Sequence, residues 1–278
     1  MRRLVPALAC LAWLGLPNAA SADGLMLIQA GAFWMGRDGG PPEEAPLHRM
    51  FVTDFWIERH KVTNAEFAEF LNARGWLSSD GERRFDHDDA DARIHRIAVH
   101  APQGNGEGLR WRPDPGFERH PAVEVSWFGA RDYCRWKGRR LPTEAQWEKA
   151  ARGDDGRPYP WGAAAPSAEL AVYGRPYNAT APTDDRPRGA SPYGIHDMVG
   201  NLREWTATIL RPYPYKEVDG RASAVRGEPR PGGEPSGEIF RRSQPARGEP
   251  ERIVVRGASH DDPAEELSCA TSEDLGGY

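Results

Sequence analysis

The chain has 278 residues and a formal net charge of −5, with 36 Lys and Arg set against 41 Asp and Glu. An acidic balance with no basic stripe excludes nucleic acid as a natural partner. The length suits one large domain or two small ones, and ten tryptophans supply enough bulk for a real core.

Met1-Arg2-Arg3 is basic, Leu4 to Leu16 is apolar, and Ala20-Ser21-Ala22 is a small-x-small triplet. This order reads as a secretory signal over residues 1–22, cut after Ala22. It predicts a secreted or periplasmic protein of residues 23–278. The apolar run is too short to span a bilayer, and no second run is long enough. Pro6 and Pro17 argue against a buried helix there. Cleavage removes Arg2 and Arg3 and no acid, so the net charge moves from −5 to −7. Two cysteines then remain, Cys134 and Cys269. In an exported protein an even pair suggests a disulfide, with two buried thiols as the alternative.

Residues 24–36 read as an opening strand or hairpin, and 37–48 as a Gly-, Pro- and acid-rich loop. Met50 to Ile57 alternates as one strand. Thr63-Asn64-Ala65-Glu66 is a capping box that opens a helix with Phe67, Phe70 and Leu71 on one face. Residues 80–118 are charged and read as an insert or long loop. They carry Asp86, His87, Asp88, Asp89, Asp91 and His95, a cluster that could bind a metal; its spacing fits no standard site and favours the reading of a solvated acidic loop.

Ser126 caps a helix running to Lys137 and stopped by Gly138, with Phe128, Tyr133, Cys134 and Trp136 facing inward. Thr143-Glu144-Ala145-Gln146 is a second capping box, followed by Trp147, Ala150 and Ala151 and ended by Gly153. Beyond it no long helix is predicted. Residues 211–250 read as a second insert, and Ile253 to Val255 as a short buried strand. Trp147, Trp161 and Trp205 are expected to fill gaps in a loop-rich core. The predicted class is α+β with little regular secondary structure, in a single domain.

Several blocks stand in the order of a known family. They include Phe33-Trp34-Met35-Gly36, Lys61-Val62-Thr63-Asn64 and Pro121-Ala122-Val123-Glu124-Val125-Ser126-Trp127. The most specific are Arg140-Leu141-Pro142-Thr143-Glu144-Ala145-Gln146-Trp147 and Met198-Val199-Gly200-Asn201-Leu202-Arg203-Glu204-Trp205, followed by Val255-Arg256-Gly257-Ala258-Ser259. With these blocks the chain resembles the formylglycine-generating enzymes, the sulfatase-modifying-factor family. The resemblance implies the fold of that family, a variant of the C-type lectin fold. It implies a Cys134–Cys269 disulfide. It also implies a structural calcium ion held by the side chains of Asp197 and Glu204 with the backbone oxygens of Gly200 and Leu202. The residues alone leave another reading open, a turn in which Asp197 caps Asn201 and Glu204 joins an ion pair.

The chain departs from the family where the chemistry lies. Active members hold copper with two cysteines that follow the Gly-Ser segment. The first position falls at Asp262 here, the second within 264–267, and there is no sulfur before Cys269. Arg203 stands where many members have tryptophan. Copper-dependent formylglycine formation is therefore not expected. Ser259 matches an active-site serine, and Ser259, His260 and Asp262, with Asp261 between them, form a candidate catalytic set. A carboxylate–histidine set can do acid–base work or bind iron, or it can be a hydrogen-bonded turn.

The chain is thus similar to divergent exported members that lack the cysteine pair, such as the periplasmic pyoverdine-maturation proteins. The implied function is a periplasmic maturation factor of oxidoreductase type, oxygen-dependent if an enzyme, acting on a peptide or small molecule. The alternative is a non-catalytic, calcium-stabilised binding or assembly module with a protein partner. Family members close with a Gly-Phe-Arg strand, whereas this sequence stops at Gly277-Tyr278. Loss of that strand would leave the opening strand partly unpaired.

Overall fold

The structure is a computed structural model that describes residues 24–100, 107–214 and 252–276. The signal-like segment and nearly all of the 211–250 insert lie outside the described residues. Nine short strands and three helices are described, in the order β1 (Leu25–Ile28), β2 (Gly31–Met35), β3 (His48–Val52), β4 (Phe55–Glu58), α1 (Asn64–Arg74), β5 (Ile94–His100), β6 (Glu107–Pro113), α2 (Trp127–Trp136), α3 (Glu144–Arg152), β7 (Glu204–Ile209), β8 (Arg252–Arg256) and β9 (Ser272–Gly276). All strand pairs are antiparallel: β1 with β4, β2 with β3, β5 with β6, and β8 between β7 and β9. This is α+β architecture with little regular secondary structure, as the sequence predicts.

The helices form where the capping residues direct them. At α1, Glu66 N donates to Thr63 Oγ1 at 3.3 Å, and Thr63 N donates to Glu66 Oε2 at 2.9 Å. At α3, Gln146 N donates to Thr143 Oγ1 at 3.2 Å, and Thr143 N donates to Gln146 Oε1 at 3.0 Å. At α2, Gly129 N donates to Ser126 Oγ at 3.1 Å. A side chain at Gly129 would have its Cβ 2.0 Å from the Arg84 carbonyl oxygen, so only glycine lets α2 pack this closely.

The core divides in two main parts. One gathers Met26, Ile28, Trp147, Ala150, Ile195, Met198, Leu267 and Cys269 around α3. The other gathers Phe67, Phe70, Leu71, Phe85, Ile94, Trp111 and Tyr133 around α1 and α2. Each fully buried Phe in the second contributes about 2–3 kcal/mol by removal from water. Trp147 and Arg256 are both fully buried, with the guanidinium 5.2 Å from the indole centroid. Arg256 also pairs with Glu144 and Glu148, so no charge is left alone in this interior.

The structure corrects three expectations. Residues 80–118 are not simply loop. They contain the β5–β6 ladder and four buried residues, Phe85, Ala92, Ile94 and Trp111. Asn72 on α1 clamps this unit, its Nδ2 donating to the Trp111 carbonyl at 2.8 Å and its Oδ1 accepting from Trp111 N at 2.9 Å. The strand expected over 50–57 breaks at Thr53-Asp54 into β3 and β4, which pair in different sheets. Cys134 and Cys269 form no disulfide. Cys269 is sealed in the α3 core and Cys134 packs against the α1–α2 core, and burial pushes both thiols up to about 12. β1 is hydrogen-bonded to β4 along one edge, and no other strand among the described residues pairs with it.

Candidate active site and cation loop

The β7–β8 ladder sets Glu204 opposite Arg256. The segment leaving β8, residues 257–262, therefore runs beside the loop 197–203 that enters β7. Asn201 joins them. Its backbone carbonyl accepts from His260 N at 3.0 Å, and its own N donates to the Val172 carbonyl at 2.8 Å. Its side chain is fully buried and exchanges two bonds with Ala181, Oδ1 accepting from N and Nδ2 donating to O, each at 2.9 Å. Gly174 N and Arg175 N donate to the carbonyls of Asp262 and His260, each at 2.8 Å. A loop-borne site is thus fixed by main-chain bonds from three segments.

Ser259, His260 and Asp262 come together and are buried, but their roles differ. His260 Nδ1 lies 3.2 Å from the Asn201 carbonyl and 3.2 Å from Ser259 Oγ. A carbonyl can only accept, so this contact needs the proton on Nδ1, and in the neutral ring Nε2 then carries the lone pair. Nε2 is buried and has no hydrogen-bond partner among the described residues. Ser259 Oγ receives the Nδ1 proton and bonds the Asp261 carboxylate, which this bond holds below its ordinary range. The hydrogen bond therefore runs from histidine to serine, opposite to what a serine nucleophile activated by His260 requires.

Asp262 is a strut. Its Oδ2 accepts from Ser259 N at 2.6 Å, and Arg203 Nη2 donates to Oδ1 at 2.9 Å and to Glu273 Oε1 at 2.7 Å. The position of the first copper cysteine thus carries a carboxylate neutralised by an arginine. With Cys269 sealed in the core and Cys134 in another part of the fold, no cysteine pair for copper is present among the described residues.

The residues named for calcium are neighbours, and three of the four turn one oxygen to a protein donor. Asp197 Oδ2 accepts from Asn201 Nδ2 at 3.1 Å, the Gly200 carbonyl accepts from Leu202 N at 2.9 Å, and Glu204 Oε1 takes the Lys61 ammonium at 2.6 Å. Trp147 Nε1 donates to the same Glu204 oxygen at 3.2 Å. This is the capped turn and ion pair that the residues alone left open, with a lysine ammonium already on one of the oxygens named for calcium. Burial raises Asp197 to about 6, against the opposing charge of Lys61.

Sequence reasoning missed Glu124. Ligand oxygens of Asp89, Asp91 and Glu124 lie within 4.8 Å of one another, an arrangement able to hold a cation. Burial, then the charges of Asp89, Asp91 and Asp86, push Glu124 up to about 7. Of the rest of the predicted acidic run, Asp86 stays beside Glu124, its N donating to the Glu124 carbonyl at 3.0 Å, while His87 pairs with Asp88 and His95 with Asp114. Glu124 comes from a distant segment, so no local spacing announces it.

The sequence matches the sulfatase-modifying factor enzyme 1-like domain over residues 15–275. It is 36% identical over 238 residues to a formylglycine-generating enzyme of Mycobacterium tuberculosis, covering 72% of this chain and 78% of that protein. It is 37% identical over 224 residues to a hercynine oxygenase of Mycolicibacterium smegmatis, covering 72% of this chain but only 50% of that longer protein. A Bos taurus protein named inactive C-alpha-formylglycine-generating enzyme 2 is 32% identical over 247 residues, covering 77% of this chain and 78% of that one. The solved structure of PvdO from Pseudomonas aeruginosa superposes with a TM-score of 0.57 at 22% identity, covering 91% of this chain and 88% of that one, and so shares the fold. The protein is a member of the sulfatase-modifying-factor family, with an Arg203–Asp262 pair at the position that the resemblance gives to the first copper cysteine.

Proposed function

We propose that the protein is an exported maturation factor of oxidoreductase type that uses dioxygen to oxidise a peptide or small molecule without copper thiolates. Relatives named formylglycine-generating enzyme and hercynine oxygenase support the reaction class. The signal-like residues 1–22 support a periplasmic or secreted location. Among the described residues, no helix is long and apolar enough to cross a membrane. The observation that carries the reading is His260 Nε2, a buried acceptor with a fixed tautomer and no protein partner. The substrate gives two electrons and two protons to dioxygen, which leaves as hydrogen peroxide; His260 Nε2 takes one of those protons from the substrate and returns it to the peroxide, while Ser259, braced by Asp262, and the Asn201 carbonyl hold the ring in place.

Oxygen consumption by the mature protein, assayed with a panel of exported thiol peptides and small-molecule reductants, tests this. Turnover that falls at least tenfold in His260→Asn, with an unchanged melting temperature, is the expected result. Equal rates in both proteins, or no turnover at all, would favour the second reading, a binding or assembly module with a protein partner. That reading is supported by the relative named inactive and by the locked Asp262 strut.

A further inference from the structure

We propose that the Lys61 ammonium is the built-in cation of the 197–204 loop, replacing the calcium ion that the family resemblance implies. Lys61 is buried, 6% exposed, two residues ahead of the Thr63 cap of α1. Its segment is held in place by Ala122 N, which donates to the Val62 carbonyl at 2.9 Å, and by the Thr63–Pro121 bridge. The side chain reaches the first residue of β7, where Nζ sits 2.6 Å from Glu204 Oε1.

Calcium collects about six to eight oxygens at about 2.3–2.6 Å. An ammonium instead offers three N–H donors and one charge. The loop is arranged for the second. Glu204 meets the ammonium, Asp197 is capped by the Asn201 amide, and the Gly200 carbonyl is turned to Leu202 N. Lys61 therefore ties the start of α1 to the start of β7, a bond that no chelator can remove. Without it, two carboxylates and two carbonyls would remain around a vacated charge, the donor chemistry of a calcium or lanthanide site.

The test uses the mature chain with Glu124→Gln and Asp91→Asn added, so that the acidic triad does not report. Melting temperature is measured in chelator and in millimolar calcium, together with terbium luminescence excited through tryptophan. Trp147, whose Nε1 is 3.2 Å from Glu204 Oε1, is a near sensitiser. With Lys61 intact, the expected result is a melting temperature that neither chelator nor calcium moves, and no terbium signal. Lys61→Gln should melt about 5–10 °C lower in chelator, recover at least half of that loss in calcium, and light terbium. Lys61→Arg should behave like the parent. A parent that loses stability in chelator or sensitises terbium overturns the proposal, whether or not Lys61→Gln folds. So does a Lys61→Gln protein that calcium fails to rescue.

Discussion

Arg203 Nη2 is hydrogen-bonded to Asp262 at 2.9 Å, and the same nitrogen reaches Glu273 on β9 at 2.7 Å. One guanidinium therefore joins the loop before β7, the turn after β8 and the last strand. Arg203→Leu should leave two partly buried carboxylates facing each other and cost about 1–3 kcal/mol. Urea unfolding would measure it. Asp262→Asn, which keeps hydrogen-bonding capacity, should cost less, and an Arg203→Leu protein as stable as the parent would show the triad to be ornamental.

His260 makes a sharper prediction. Its proton should sit on Nδ1 in the neutral ring, and nitrogen-15 NMR of labelled histidine distinguishes the two tautomers. An Nε2–H signal for His260 would remove the free acceptor and with it the oxidase reading. Ser259→Ala should keep the Nδ1 tautomer, because the Asn201 carbonyl still accepts at 3.2 Å.

Glu124 should make stability depend on pH with a defined sign. Its carboxyl is raised from 4.5 to about 7 in the folded state, so the native protein binds more protons than the unfolded chain across that window. The stabilising contribution is present below about 4.5 and is lost as pH rises towards 7. Glu124→Gln should flatten that part of the profile and raise the melting temperature at pH 8 by a few degrees, on the order of 2–4 °C. A parallel change of both proteins from pH 5 to pH 8 would contradict the arrangement.

The cysteines should behave as thiols. The mature protein is expected to titrate two thiols after denaturation and to react slowly before it, since burial pushes both up to about 12. Its melting temperature should be the same with and without reductant. A missing pair of thiols after denaturation would mean that Cys134 and Cys269 are bridged after all.

The legible parts of this fold were those with short-range chemistry. Thr63–Glu66 and Thr143–Gln146 announce their helices because both partners of each cap lie within one turn. Ile253 to Val255 reads as buried strand because nothing polar interrupts it, and it is buried. Phe85, Ile94 and Trp111 were hidden because each stands alone among charges, with the α1 face as their shared surface. An even count of cysteines carries no distance, so the separation of Cys134 from Cys269 was invisible. In the site, Ser259 to Asp262 stood out as a run, but the proton direction depends on Asn201, 59 positions from His260. The Lys61 contact spans 143 positions.

Asn201 fixes the imidazole with a main-chain oxygen, an acceptor that does not ionise. A carboxylate in that place would loosen its grip in acid. A peptide carbonyl does not, so the hold on the ring is independent of any charge on the acceptor, and Nε2 points the same way whatever group comes to meet it.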